Sequence, residues 1–300
     1  MTWQFTVTGL LIGALVGLTG MGGGSLMTPI LIFLFGFDPA VAIGTDILHG
    51  AIFKSFGAAR HRKLGQVHAR LASWMLLGSA PMSLLGVAFG SWLHRHYGSG
   101  VQHLQEEILG YALVACGLGF VLKAFIHAAA KPDLPMILER RDKVIAVSLG
   151  VAGGFVVGLT SVGSGTFFGL VLMLIFPLTA AKIVGTDLLH AAALLWVAGI
   201  GHLIAGNVDL HATGWLLLGS IPGVLIGSNM TVRLPDRTIR TALATTLTLS
   251  GFKLIDFPGS SIAVLVGLGV GIVGLIGVVR HDWGQRRKLV PPLVGQDPAG

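Results

Sequence analysis

The sequence predicts an all-α, polytopic integral membrane protein made of two homologous, inverted helical repeats. It also predicts discontinuous Gly-broken helices and about eight to eleven membrane segments. Three observations carry this reading. First, the 300-residue chain is 53% hydrophobic and only 11% charged, with a mean hydropathy of +0.82. A soluble domain carries about 25% charged residues, so this chain cannot clothe itself in a water-seeking surface. Second, the chain repeats itself at a constant offset of 141 residues. Gly9, Gly13, Gly17-Leu18-Thr19, Gly22, Gly24, Gly44-Thr45-Asp46 and His49 return as Gly150, Gly154, Gly158-Leu159-Thr160, Gly163, Gly165, Gly185-Thr186-Asp187 and His190. The match runs on through Trp74/Trp215, Ser79/Ser220 and Pro81/Pro222, with 28 identities in 78 ungapped pairs. That period exceeds those of solenoids and suits a membrane protein of two halves around one central site. Third, Arg60, Arg62, Lys63 and Arg70 surround the loop at 60–70, whereas its counterpart at 201–211 has no Lys or Arg and contains Asp209. Equivalent loops with opposite charge bias belong on opposite sides of the membrane, which inverts one copy.

The elements follow from apolar runs between punctuating residues. They are expected at 3–19, 24–36, 39–59, 69–93, 104–126, 143–160, 164–177, 180–205, 211–230, 237–254 and 260–279. Met1-Thr2-Trp3-Gln4 lacks the basic region of a signal peptide, so the first run is read as a retained segment. The runs at 24–36 and 164–177 span about 20 Å at 1.5 Å per residue, short of the hydrocarbon core, and each reads as a half-helix after a glycine-rich break. Asp38-Pro39 is a helix-starting pair, and Thr179 holds the matching cap position. The domains are then a first transmembrane repeat at 1–127, a basic inter-repeat loop at 128–142, a second repeat at 143–280 and a disordered cytoplasmic tail at 281–300.

The +7 net charge sits in short clusters between apolar runs, the pattern of cytoplasmic loops, and nucleic acid is not an expected partner. Anionic lipid is the expected partner of the basic loop. The positive-inside pattern places the C-terminus in the cytoplasm and the multi-pass chain in the cell's inner membrane. Cys116 is the only cysteine, which removes intrachain disulfides and thiolate metal sites. No cofactor and no metal site are expected.

Three duplicated constellations are candidates for chemistry. The glycine zippers Gly9/Gly13/Gly17 and Gly150/Gly154/Gly158 keep small residues on one helical face and read as packing. The breaks, Gly22-Gly23-Gly24-Ser25 and Gly163-Ser164-Gly165-Thr166, each precede a half-helix whose free N–H groups attract anions. They form a candidate substrate-binding cradle, together with Thr45 and Thr186. The alternative is a structural kink with no ligand. In the third, Asp46 with His49 and Asp187 with His190 lie one helical turn apart, about 10 to 15 Å into their helices. Ionisable residues at that depth mark coupling or gating, or else hold helices together by hydrogen bonds. Lys54 either shares the Asp46 face or snorkels to the basic edge, and its counterpart is Leu195.

The run Gly17-Leu18-Thr19-Gly20-Met21-Gly22-Gly23-Gly24-Ser25-Leu26, then Thr28-Pro29 and Gly44-Thr45-Asp46, resembles the TauE/SafE sulfite exporter family over about residues 5–280. Asp46 and Asp187 stand where that family often has a small hydroxyl residue after Gly-Thr. The resemblance implies a duplicated polytopic transporter of a small anion, sulfite or an organosulfonate. The expected mode is alternating access of the two inverted halves around the Gly-break half-helices, and since nothing resembles an ATP-binding domain, the energy is expected from a proton or electrochemical gradient. A channel or cation transporter using the aspartates is the rival class. An intramembrane enzyme is a further one, but no His-Glu-x-x-His or serine-protease signature appears and duplication of the whole site argues against it, so no catalytic residue is assigned.

Overall fold

The computed structural model describes residues 2–19, 24–97, 107–115, 118–119, 137–165 and 167–230, with isolated positions at 248, 252 and 255. Among the described residues there is no strand. Among the described residues the main helices are α1 Thr2–Thr19, α2 Gly24–Phe33, α3 Pro39–Lys63, α4 Ala69–Tyr97, α5 Arg140–Thr160, α6 Phe167–Ile175, α7 Ala180–Ala205 and α8 Leu210–Met230. These match eight of the expected apolar runs to within a few residues. The expected segments at 237–254 and 260–279, most of 104–126 and the tail at 281–300 lie outside the described residues, as do 128–136 of the basic loop.

Local chemistry sets the helix starts. The Asp38 carboxylate accepts from the Ala40 amide at 2.9 Å with Pro39 in the first turn, and the Thr179 hydroxyl accepts from the Lys182 amide at 3.4 Å. Glu139 and Asp142 form a reciprocal capping box at the start of α5.

Packing is reciprocal between the two copies. Gly9, Gly13 and Gly17 of α1 face the carbonyls of Leu216, Ser220 and Val224 on α8. Their counterparts Gly150, Gly154 and Gly158 of α5 face Met75, Ser79 and Ser83 on α4, the same positions 141 residues earlier. Both pairs run parallel, because both numbers rise together. Between the copies, α3 and α7 run antiparallel: Gly50 meets Leu195, and Gly57 meets Leu188. Two apolar clusters flank this crossing. One includes Met27, Leu31 and Leu216, and the other their equivalents Phe168, Leu172 and Met75.

Among the described residues, four helices are long and apolar enough to cross a membrane: Ala69–His96, Arg140–Thr160, Lys182–Ala205 and Leu210–Ser228. Helix α3 has 25 residues but is not one of them. Its low apolarity comes from Asp46, His49, Lys54 and a basic last turn. Most of its length is buried against neighbouring helices, so lipid does not have to solvate those groups.

The zipper glycines are replaceable only at the cost of separating backbones. Gly154→Val is expected to destabilise by about 1–3 kcal/mol through overpacking against the Ser79 carbonyl. A Cβ at Gly214 meets nothing within 4 Å, so Gly214→Ala should be neutral or stabilise by about 0.5–1 kcal/mol. Thermal unfolding of the two variants in detergent separates these outcomes.

Candidate functional site

The antiparallel crossing of α3 and α7 buries a charged cluster. Asp46, Lys54 and Asp187 are each only 1% exposed. The Thr28 hydroxyl on α2 donates to Asp46 Oδ2 at 2.6 Å, and the Ser161 hydroxyl donates to the same oxygen at 2.8 Å. Short O–H···O⁻ bonds of this kind are among the stronger neutral-to-charge contacts and offset part of the burial cost. Thr28 comes from the first copy and Ser161 from the second, so Asp46 ties the two together.

Ser161 ends α5 with φ of 63°, the one non-glycine residue with positive φ among the described residues. Glycine or asparagine usually fills that cap position, because a Cβ strains it. Keeping serine there holds a hydroxyl against Asp46. The chain then turns through Val162 to Gly165, and α6 begins at Phe167. Gly163 (φ 105°) and Gly165 (φ 122°) take conformations that side chains disfavour.

Lys54 reaches from α3 into this turn. Its ammonium donates to the Ser164 carbonyl at 2.7 Å and the Ser164 hydroxyl at 3.0 Å. The side chain therefore points inward and does not snorkel. The reason is electrostatic as well as geometric: both Asp187 and Asp46 attract it, and an unpaired buried ammonium would be costly.

The histidines pair with serines across the copies. His49 Nε2 lies 2.8 Å from Ser220 Oγ, and His190 Nε2 lies 2.9 Å from Ser79 Oγ. All four residues are buried. Each imidazole also packs on an aromatic ring, His49 on Phe53 at 4.7 Å and His190 on Phe168 at 4.3 Å. The carbonyls of Ser220 and Ser79 face Gly13 and Gly154. One serine thus joins three helices in each half.

Thr45 and Thr186 lie elsewhere. The Thr45 hydroxyl accepts from the Asp209 amide and that of Thr186 from the His68 amide, both at 2.9 Å. Each fastens the loop that precedes α8 or α4. Of the first break, Gly22, Gly23 and the Ser25 side chain are outside what is described and Gly24 opens α2; Thr166 of the second break is also outside. Among the described residues no group of three or more His, Cys, Asp or Glu side chains is placed to hold a metal.

Thr28 and Ser161 escape a reading based on the repeat, because their counterparts are Gly169 and Gly20. Ser79 and Ser220 do carry a signal, since both recur at the fixed offset after a conserved-offset glycine, Gly78 and Gly219.

A helical bundle that buries an ammonium and two carboxylates at its inter-repeat crossing, with apolar spans around it, is the build of a membrane transporter. The family model described as sulfite exporter TauE/SafE matches residues 5–254, and the chain belongs to that family. It is 38% identical over 259 residues to the probable membrane transporter protein YjnA of Bacillus subtilis, covering 85% of this chain and 100% of that protein. The probable membrane transporter protein YdhB of the same organism is 25% identical over 245 residues, with 82% and 96% covered. A third, YunE, is 26% identical over 267 residues, with 83% and 95% covered. No solved structure matches.

The Asp46 contacts make a testable stability statement. Thr28→Val and Ser161→Ala each remove one donor to a buried carboxylate and should cost about 1.5–3 kcal/mol. Ser161→Gly should cost less than Ser161→Ala, because glycine relieves the positive-φ strain while losing the same bond. Ranking the three variants by thermal unfolding checks this, and equal losses for the two Ser161 variants would remove the strain argument.

Proposed function

We propose that this TauE/SafE-family transporter is a secondary exporter of a small anion, sulfite or an organosulfonate, working by alternating access of two inverted halves with proton coupling. One observation carries the reading: the buried Lys54 ammonium sits on the glycine-bounded turn at Ser164, just before the N-terminus of α6. A cation and a helix N-terminus together favour a negative ligand. The antiparallel run of the equivalent helices α3 and α7, with the opposite charge of their following loops, favours inversion of one copy. Inversion places the basic loops, and the C-terminus with them, on the cytoplasmic side of the inner membrane.

In this mechanism the anion binds between Lys54 and the 161–165 turn, with Asp46, His49, Asp187 and His190 serving coupling or gating. The cluster is closed to solvent in the observed arrangement. Rocking of the halves along the α3–α7 crossing opens it to one side at a time. The reciprocal His–Ser and Thr–backbone bonds are the contacts available to break on one side and remake on the other.

Two buried carboxylates favour a second reading, a cation carried by Asp46 and Asp187. Proteoliposomes separate the two. Uptake of labelled sulfite, sulfate, sulfoacetate and thiosulfate into vesicles should show at least one sulfur anion moving, with no cation current. Movement of none of the four would remove the substrate class, and currents carried by cations would install the second reading.

A further inference from the structure

Two loops sit on the crossing helix of the opposite copy in the same way. The loop at 64–68 joins α3 to α4, and its counterpart at 206–209 joins α7 to α8. The Gln66 carbonyl lies so close to Gly185 that a Cβ there would run into it, and the Asn207 carbonyl lies against Gly44 likewise. At the next helix position, the Thr186 hydroxyl accepts from the His68 amide and the Thr45 hydroxyl from the Asp209 amide, both at 2.9 Å. Each Gly-Thr step is therefore a shelf. Its glycine admits a carbonyl of the loop, and its threonine holds the amide two residues further on.

The loops are preformed turns that move with their helices. Gly65 and Gly206 take positive φ, 69° and 80°. The Gln66 and Asn207 amides donate back to the His61 and His202 carbonyls at 3.1 and 3.0 Å. The latched residue also caps the helix that follows. Asp209 Oδ1 accepts from the Ala212 amide at 2.9 Å, and His68 Nδ1 from the Leu71 amide at 3.2 Å. Lifting a loop from its shelf thus lifts the start of α8 or α4, the helices that carry Ser220 to His49 and Ser79 to His190.

The two shelves stand at opposite ends of the α3–α7 crossing. Gly50 meets Leu195 and Gly57 meets Leu188, so position 186 is level with about position 59 of α3, roughly 21 Å along that helix from Thr45. Asp46, His49, Lys54, Asp187 and His190 all fall between those two levels. All five are buried while both shelves are occupied.

We propose that the loops at 64–68 and 206–209 are the two gates of the transporter, one for each membrane face, and that Gly185-Thr186 and Gly44-Thr45 are the latches that hold them shut. This rests on the alternating-access reading above and adds which segments open and what holds them. With both latches made, the charged cluster is sealed at both ends. The two latches share no residue, so one releases while the other stays made. A single amide-to-hydroxyl bond is a weak enough tie to break in every cycle. Thr45 and Thr186 are in this reading positioning residues, acting on the loops rather than on the substrate.

Access to the crossing is read at Leu195, a buried apolar residue between the shelves. Leu195→Cys is placed in the full-length chain with the sole cysteine removed as Cys116→Ser. Right-side-out and inside-out membrane vesicles are then treated with a membrane-impermeant maleimide. Gly44→Ala wedges a methyl under the 206–209 loop, and Gly185→Ala wedges one under the 64–68 loop. Each should raise labelling about tenfold or more, the first from one face only and the second from the opposite face only. In a second arm, without the reporter, cysteine pairs lock the latches: Thr45→Cys with Asp209→Cys, and Thr186→Cys with His68→Cys. Oxidation of either pair should stop uptake of the sulfur anions, and reduction should restore it.

Labelling from the same face in both alanine variants, or at the unwedged rate in either, overturns the assignment. Transport that continues with either pair oxidised overturns it equally. A wedge variant labelled from both faces because it has unfolded is recognised by its melting curve. The cysteine pairs then decide, since each is compared with itself before and after reduction. If the wild type moves none of the sulfur anions, the substrate reading fails, and one-sided labelling of the two wedge variants still upholds the gates. If Leu195→Cys alone is labelled rapidly from both faces, alternating access fails and the gates with it.

Discussion

A lysine ammonium and two carboxylates buried together in a lipid-facing bundle is the constraint that organises the rest. Moving an isolated ion into a dry interior costs several kcal/mol even after relaxation, so none of the three is tolerable alone. Each explains the placement of something else. Asp46 requires hydroxyls, and Thr28 and Ser161 arrive from different copies to supply them. Lys54 requires acceptors, and the turn at Ser164 offers a carbonyl that no helix has used. That turn needs glycines where φ is positive, which is why the break is glycine-rich.

Close backbone packing is the second layer, and it serves the first. Glycines on α1 and α5 let carbonyls of α8 and α4 come within the reach that any side chain would deny. The same two helices present Ser220 and Ser79 inward to His49 and His190. A displaced α8 would therefore disturb both the zipper and the imidazole. Packing far from the charges and geometry beside them are one mechanical unit.

Much of this was legible in the sequence, for physical reasons. Helix boundaries were readable because caps such as Asp38 and Thr179 are local chemistry, and because lipid demands long apolar runs. The zippers, Asp46, Asp187 and the two histidines were readable because duplication marks them twice. The inward turn of Lys54 was not readable, since a lysine eight residues beyond Asp46 can equally follow its flexible stem to a membrane edge. The partner that decides between those paths, Ser164, lies 110 residues away. Thr28 and Ser161 were hidden by the very feature that revealed their neighbours, because a search for agreement between copies discards glycine–hydroxyl pairs. The threonines at 45 and 186 drew attention as motif members, yet their hydroxyls hold the amides of Asp209 and His68.

The balance between agreement and departure has its own logic. Under the proposed alternating access, two inverted copies that exchange conformations give inward and outward states of nearly equal energy, because each state is close to the other turned over. A transporter gains from that, since neither state becomes a trap. Perfect agreement at the charged centre would also place two equivalent carboxylates and either two lysines or none. Two lysines would double the burial cost, and none would leave two carboxylates with no cation between them. Breaking the symmetry at Lys54/Leu195 gives one ammonium for two carboxylates, and the hydroxyls of Thr28 and Ser161 on Asp46 stand where the repeat has glycine. The scaffold retains its twofold economy, and the chemistry at its centre becomes single.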